Sequence, residues 1–308
     1  MAVDGEFFVG RVVRRDMDER SALRLLAADL PDAGDDAAVV DGLVVTTDML
    51  HESTDFPAGT TRYTAGWRSV AASLSDVAAM GADATAAVAA YGAPSLEESE
   101  LRDFVRGARE VCAAVGAEYV GGDLDTHEEF TVATTALGET DNPLLRSGAT
   151  PGNVVCVTGA LGRSAAALRA FDAGDCDRAN DLFRFTPRVA AGVALRPYAT
   201  AMMDSSDGLA RSLHQIAEAS DCGFAFEWDA LPVHDAVTEY ARDTDDERAM
   251  AAYFGEDFEL VFTLPADAVD TARDALSIPI TVVGQVTDEQ IVANGDPVPD
   301  EGYTHADD

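Results

Sequence analysis

Aspartates recur through this sequence where a strand would end or a turn begin. They are Asp35 and Asp36 in Gly34-Asp35-Asp36-Ala37, Asp48 after Thr46-Thr47, Asp76 in Ser73-Leu74-Ser75-Asp76, and Asp123 after Gly121-Gly122. Asp204 and Asp207 follow in Asp204-Ser205-Ser206-Asp207-Gly208, and Glu256-Asp257 comes after Gly255. Such junctions are where ligand-binding side chains are usually displayed. Carboxylates flanked by hydroxyls and glycines suit Mg²⁺, a hard cation that takes oxygen ligands and bridges substrate phosphates. The glycines let backbone N–H groups approach phosphate oxygens. Taken singly, each aspartate is also open to a plainer reading as a turn residue or helix N-cap. Asp76 resists that reading. It lies between Leu74 and Val77 in an apolar helical pattern, where a carboxylate is costly without a cation or donors. A Ca²⁺ EF-hand loop fits poorly, because the twelfth position counted from Asp204 is Gln215 rather than Glu. The residues alone point to an acidic, phosphate-handling site for several metal ions.

Composition narrows the chemistry further. The net charge of -35 leaves no basic footprint for nucleic acid and none for an anionic membrane surface. Most of the acidity falls in runs such as Asp243-Thr244-Asp245-Asp246-Glu247, which read as a solvated coat suited to a salt-rich cytoplasm, where like charges are screened. All 21 residues counted as Lys or Arg are Arg. Without lysine, the chain cannot be a P-loop nucleotidase, a protein kinase, a pyridoxal-phosphate enzyme or a Schiff-base aldolase. Cys112, Cys156, Cys176 and Cys222 form no C-x-x-C pair, so a reducing cytoplasm is expected and no zinc site. No apolar run reaches transmembrane length.

The elements that must position the aspartates follow from periodicity. Ala37–Val40 and Leu43–Thr47 around Asp41-Gly42 predict a hairpin. Thr61–Met80 carries apolar residues at helical spacing and stops at Gly81. Ala84–Tyr91 predicts a strand, and Leu96–Val115 an amphipathic helix with Ser95 as N-cap and Glu98 closing a capping box. Glu118–Val120 predicts a short strand delivering Gly121-Gly122-Asp123, and Phe130–Leu137 another. Residues 139–153, rich in Gly, Pro, Asn and Thr, mark a domain boundary, dividing the chain into 1–145 and 146–308. Beyond it, strands are predicted at Val154–Thr158, Ala201–Asp204, Glu256–Phe262 and Ile280–Val286. Helices are predicted from near Ser164, at Pro187–Leu195 and at Leu209–Ser220. The tail from Asp296 reads as irregular. The mixture predicts an α/β or α+β sandwich in each half.

In order, Gly5-Glu6-Phe7, Gly34-Asp35-Asp36-Ala37, Thr46-Thr47-Asp48, Leu74-Ser75-Asp76-Val77-Ala78-Ala79-Met80-Gly81-Ala82 and Gly121-Gly122-Asp123 appear along the chain. Arg146-Ser147-Gly148-Ala149 with Pro151-Gly152, Asp204-Ser205-Ser206-Asp207-Gly208-Leu209, Gly255-Glu256-Asp257-Phe258-Glu259-Leu260 and Gly302-Tyr303 complete the set. Each motif alone is weak, but the ordered set is specific. It resembles the thiamine-monophosphate kinases, within the larger family of aminoimidazole ribonucleotide synthetase-like ATP enzymes. The resemblance implies a two-domain α/β chain that forms a homodimer through its N-terminal sheet, with nucleotide and Mg²⁺ held in that half and the C-terminal half closing over them. It implies metal ligands at Asp36, Thr46, Thr47, Asp48, Asp76, Asp123, Asp204 and Asp207. ATP contacts are implied at Gly122, Asp123, Arg146 and Ser206, and contacts to thiamine monophosphate at Glu256 and Tyr303. Asp55 stands on the loop after the Thr-Thr-Asp strand where the family often has a His, and it joins the acceptor contacts as an expectation.

The implied reaction is ATP-dependent phosphorylation of thiamine monophosphate, with several Mg²⁺ ions and no catalytic base. The acceptor is a phosphate monoester with a second pKa of about 6, already largely dianionic at neutral pH. It needs relief from repulsion between polyanions and in-line placement. Hydrogenase-maturation dehydratases carry a C-terminal Cys, whereas this chain ends His305-Ala306-Asp307-Asp308. Selenophosphate synthetases need a reactive Cys near the N-terminus, and the first here is Cys112. A rival of another class is an acidic cation-binding protein without turnover.

Overall fold

The computed structural model describes residues 25–26, 30 and 34–302. Gly5-Glu6-Phe7 and Tyr303 lie outside these. Asp41 and Gly42 both take left-handed backbone (φ 51° and 83°), the geometry a two-residue hairpin demands. They join β1 (Ala38–Val40) to β2 (Leu43–His51) as the sequence predicts. β2 pairs antiparallel with β5 (Thr131–Glu139), which pairs antiparallel with β3 (Asp83–Ala93). β3 pairs in parallel with β4 (Glu118–Thr126), completing a five-stranded sheet of order β1-β2-β5-β3-β4.

Helices α1 (Glu52–Asp55), α2 (Arg62–Ala79) and α3 (Glu98–Ala114) come from the same half. α2 starts at Thr61, whose hydroxyl accepts from the Thr64 N–H, and ends at Gly81 (φ 62°). Val70, Leu74 and Val77 on it, and Met80 just past its end, are fully buried, each burial contributing about 1.5–3 kcal/mol.

The second half builds a seven-stranded sheet of order β12-β11-β8-β10-β6-β9-β7. Its longer strands are β6 (Val154–Thr158), β8 (Gly223–Phe226), β9 (Leu260–Leu264) and β10 (Ile280–Thr287), with β7 (Ala201–Asp204) at one edge. Short strands β11 (Val292–Ala293) and β12 (Asp296–Pro297) finish the other edge, so the tail begins with a ladder where irregular chain is expected. Helices α4 (Arg163–Asp172), α5 (Cys176–Phe183), α6 (Val189–Leu195) and α7 (Leu209–Ser220) precede α8 (Asp235–Tyr240), α9 (Thr244–Ala252) and α10 (Val269–Ala275). α6 docks on the end of α2 through Gly192: a Cβ there would stand 2.0 Å from the Ala78 carbonyl oxygen. α2 thus lies against elements of both halves.

Three further sequence expectations need correction. Glu97, not Ser95, precedes the first helical residue of α3, and no side chain caps it; Glu98 and Glu100 in the first turn offset the helix dipole instead. β4 does not stop at Val120 but runs to Thr126, because its pairing with β3 carries on past a register shift. β9 starts at Leu260 rather than Glu256, since Glu256 and Phe258 have φ of 62° and 54°, which no strand admits.

Candidate active site

Carboxylates from three separate elements converge. Asp36 precedes β1, Asp76 lies in the last turn of α2 and Asp204 ends β7; one oxygen of each falls within 4.8 Å of the other two. Alternation along β2 turns Thr46 and Asp48 toward α2 and Thr47 away. Thr46 Oγ1 donates to Asp76 Oδ2 at 2.5 Å. Ser73 Oγ donates to Asp48 Oδ2 and Ser75 Oγ to Asp204 Oδ2, both at 2.5 Å. The Ser75–Asp204 bond ties the two halves of the chain together at the centre. Arg146 closes one side: its Nη2 and Nε donate to the two Asp36 oxygens at 3.0 and 3.3 Å, and its backbone N–H donates to Asp35 Oδ1 at 2.7 Å.

This cluster is electrostatically unbalanced. Burial, followed by the charges of Asp48, Asp204 and Asp36, pushes the Asp76 carboxyl well above its ordinary range. Burial and then Asp36 do the same to Asp204, against the Ser75 hydrogen bond and the Arg146 charge. Burial raises Asp48 as well, opposed by its Ser73 bond. For Arg146, burial works against the charge, but Asp36, Asp204 and Asp76 outweigh it and hold the guanidinium above its usual pKa. A hydroxyl-bearing, all-oxygen group of carboxylates with this excess of negative charge matches the ligand chemistry of a hard divalent cation.

The family model for the N-terminal domain of AIR synthase related proteins matches residues 34–140, and that for their C-terminal domain matches 150–294. A thiamine-monophosphate kinase of Halobacterium salinarum is 62% identical over 291 residues, covering 94% of this chain and 100% of that protein. The chain belongs to the thiamine-monophosphate kinase family. A second member, from Methanospirillum hungatei, is 39% identical over 300 residues, 94% of this chain and 99% of that protein. The solved structure of AaThiL complexed with AMPPCP and TMP superposes with a TM-score of 0.84 at 26% identity, covering 94% of this chain and 97% of that one.

Of the site residues that the thiamine-monophosphate kinase motifs imply, Asp36, Thr46, Asp48, Asp76, Asp204 and Arg146 form one connected group. Asp207 and Ser206 sit in the loop between β7 and α7, where the Ser206 carbonyl accepts from the Glu256 N–H at 2.5 Å. A Cβ at Gly302 would meet the Asp207 carbonyl oxygen at 2.3 Å, so the chain returns to this loop just before Tyr303. Gly122 must be glycine: its φ is 156°, and a Cβ would stand 1.7 Å from the Ala89 carbonyl oxygen.

Two implied ligands lie elsewhere. Asp123 is in β4, in one cross-strand row with Ala90, Ala133 and Met49 on the exposed face of the sheet. Thr47 shares that face, and its hydroxyl donates to the Thr134 carbonyl at 2.9 Å. Asp55 is buried at the end of α1, where Oδ2 accepts from the His51 N–H and the Thr54 hydroxyl, both at 2.7 Å. Sequence reasoning passes over Ser73 and Ser75, which aim the carboxylates. Their signal is present as polar positions beside Asp76 in a helix otherwise apolar.

Proposed function

We propose that this acidic centre transfers the terminal phosphoryl group of ATP directly to the phosphate of thiamine monophosphate, giving thiamine diphosphate and ADP, the last step of thiamine diphosphate biosynthesis. The observation that carries the reading is the convergence of Asp36, Asp76 and Asp204 from both halves of a thiamine-monophosphate kinase family chain. Asp36, Asp48, Asp76, Asp204 and Asp207, with the Thr46 hydroxyl, would hold Mg²⁺; Thr47 and Asp123, on the other face of the sheet, are proposed ligands of an ion separate from that centre. When bound, the ions would neutralise charge on the two polyanionic substrates.

The chain's own groups supply the rest. Arg146 presents a cation already oriented by Asp36. Gly122 is a proposed nucleotide contact through its backbone; its missing side chain is what lets β4 lie against the Ala89 backbone of β3. Ser206 joins the nucleotide contacts. Glu256, Tyr303 and Asp55 are the proposed acceptor contacts. No residue is needed to remove a proton from a phosphate dianion. Residues 1–145 form the nucleotide and metal half, with 146–308 closing over it.

The enzyme acts as a cytoplasmic homodimer in this reading. On the outer face of the N-terminal sheet Met49 is 60% exposed, and Val45, Val88, Ala133 and Leu137 beside it are only half-buried. An apolar face of this kind suits a second copy of the same chain. No helix among the described residues is long and apolar enough to cross a membrane.

The direct test incubates the protein with ATP, Mg²⁺ and thiamine monophosphate in high KCl and follows thiamine diphosphate and ADP. Folded protein that makes neither would overturn the reading. Light scattering on the wild type and on Met49→Lys tests the homodimer; a wild type that runs as a monomer removes it.

A further inference from the structure

Arg68 lies on α2 eight residues before Asp76, about 12 Å along the axis and about 80° around it. Its side chain is 1% exposed, a rare place for a guanidinium unless it is paired. The Phe183 ring lies 3.7 Å from its central carbon, and Nη1 donates to the Phe183 carbonyl at 2.8 Å. Nη2 is committed to a single residue of the other half of the chain. It donates to the Glu256 carbonyl at 3.2 Å and to Glu256 Oε2 at 2.5 Å.

Glu256 is fixed on its backbone as well. Its φ of 62° follows Gly255 at 81°, a left-handed pair that leaves the residue no strand to join. Its N–H donates to Ser206, and its carbonyl accepts from the Ser164 hydroxyl at 2.6 Å. Only the direction of the side chain remains to be set, and Arg68 sets it. Oε2 is taken, while Oε1 has no partner among the described residues and the side chain is 20% exposed. The Glu256 N–H bond to the Ser206 carbonyl ties this residue to the loop that begins at Asp204 of the acidic centre.

We propose that Arg68 is a positioning residue for the acceptor: by holding Glu256 Oε2 from across the domain boundary, it leaves Oε1 presented to accept an N–H of the acceptor's aminopyrimidine. The proposal rests on Glu256 being an acceptor contact, as read above. An Arg that served packing alone would affect both substrates through loss of fold. A positioning Arg shifts the acceptor term and spares the nucleotide term.

The experiment measures KM for thiamine monophosphate and for ATP, with the thermal midpoint, in Arg68→Met, Glu256→Gln and the double variant. Arg68→Met should raise the acceptor KM about tenfold or more, with the ATP KM changed less than about twofold. In the Glu256→Gln background the same substitution should add almost nothing, because its effect runs through the missing carboxylate. Should Arg68→Met fail to fold, Arg68→Lys carries the test. It keeps the charge but not the fork that reaches both Phe183 and Glu256, so its acceptor KM should rise by a smaller factor. If Glu256→Gln raises the acceptor KM while the folded Arg68 variants leave it unchanged, or if the two effects multiply in the double variant, the Arg68 proposal falls alone. If Glu256→Gln leaves the acceptor KM unchanged, the acceptor role of Glu256 and the proposal fall together.

Discussion

Two buried ionic regions meet in this molecule, and they differ in balance rather than in burial. Among the described residues, Asp36, Asp48, Asp76 and Asp204 of the acidic centre have one cation bonded to them, Arg146, and are otherwise held by hydroxyls. A few residues away, Glu256, Asp257 and Glu259 stand among Arg68, Arg163 and Arg188. Arg188 Nε donates to Glu259 Oε2 at 2.7 Å and its Nη2 to the other oxygen, while Thr158 Oγ1 adds a bond at 2.6 Å. Asp257 receives the backbone N–H groups of Gly162 and Ser164 at the start of α4. The first region demands something from outside to balance it, whereas among the described residues the second is paired except at Glu256 Oε1, the oxygen left for the acceptor. Charge balance, more than acidity, separates a ligand site from a scaffold.

The largest effect should come from removing a charge where there are too many. Asp76→Asn and Asp204→Asn should each lower kcat at least about a thousandfold. Both should nonetheless raise the thermal midpoint in metal-free buffer by a few degrees, since a neutral amide relieves repulsion and desolvation together. Steady-state kinetics and calorimetry on the same samples check the pair. Activity and midpoint falling in parallel would move these aspartates into the scaffold.

The balanced region should answer the other way. Glu259→Gln leaves the half-buried Arg188 against a neutral partner and should cost about 1–3 kcal/mol in urea unfolding, with turnover per folded molecule changed only a few-fold. Adding Mg²⁺ sharpens the contrast. At a hundred times its Kd, the ion should stabilise the wild type by about 2.7 kcal/mol, and a chelator should reverse the shift. Glu259→Gln should keep that increment, and Asp76→Asn should lose most of it.

Much of this contrast is legible in the residues alone. The hairpin at Asp41-Gly42, the apolar period of α2 and the strand ending at Asp204 each place an aspartate by local rules, so Asp36, Asp48, Asp76 and Asp204 stand out from the sequence. Pairing is harder to read. β4 looks short because Gly121-Gly122 breaks its propensity, yet β3 holds it in register to Thr126. That register decides that Asp123 faces away from Asp48. Glu256–Phe258 resembles a strand in composition, and only the left-handed backbone shows that it is a clamp. Arg68 gives no local signal, because its partner lies 188 positions away in the sequence.

The smallest effect, and the finest test of the comparison, concerns Asp257. Burial drives its carboxyl up to about 7, against the lowering by the Ser164 and Gly162 N–H bonds. Between its ordinary value of 3.8 and that figure, the folded chain therefore holds one more proton at this site than the unfolded chain. Stability from this group is full below about pH 4, falls as pH rises toward 7 and is flat above, with a slope of at most about 1.4 kcal/mol per pH unit. Asp257→Asn lacks the titration, so the wild type's stability relative to the variant should decline across the same window, measured by urea unfolding at several pH values. A difference that grows with pH would mean that the two N–H groups and the start of α4 outweigh burial. The carboxylate would then be a satisfied helix cap, and the second region would be still more self-sufficient than its arginines alone make it.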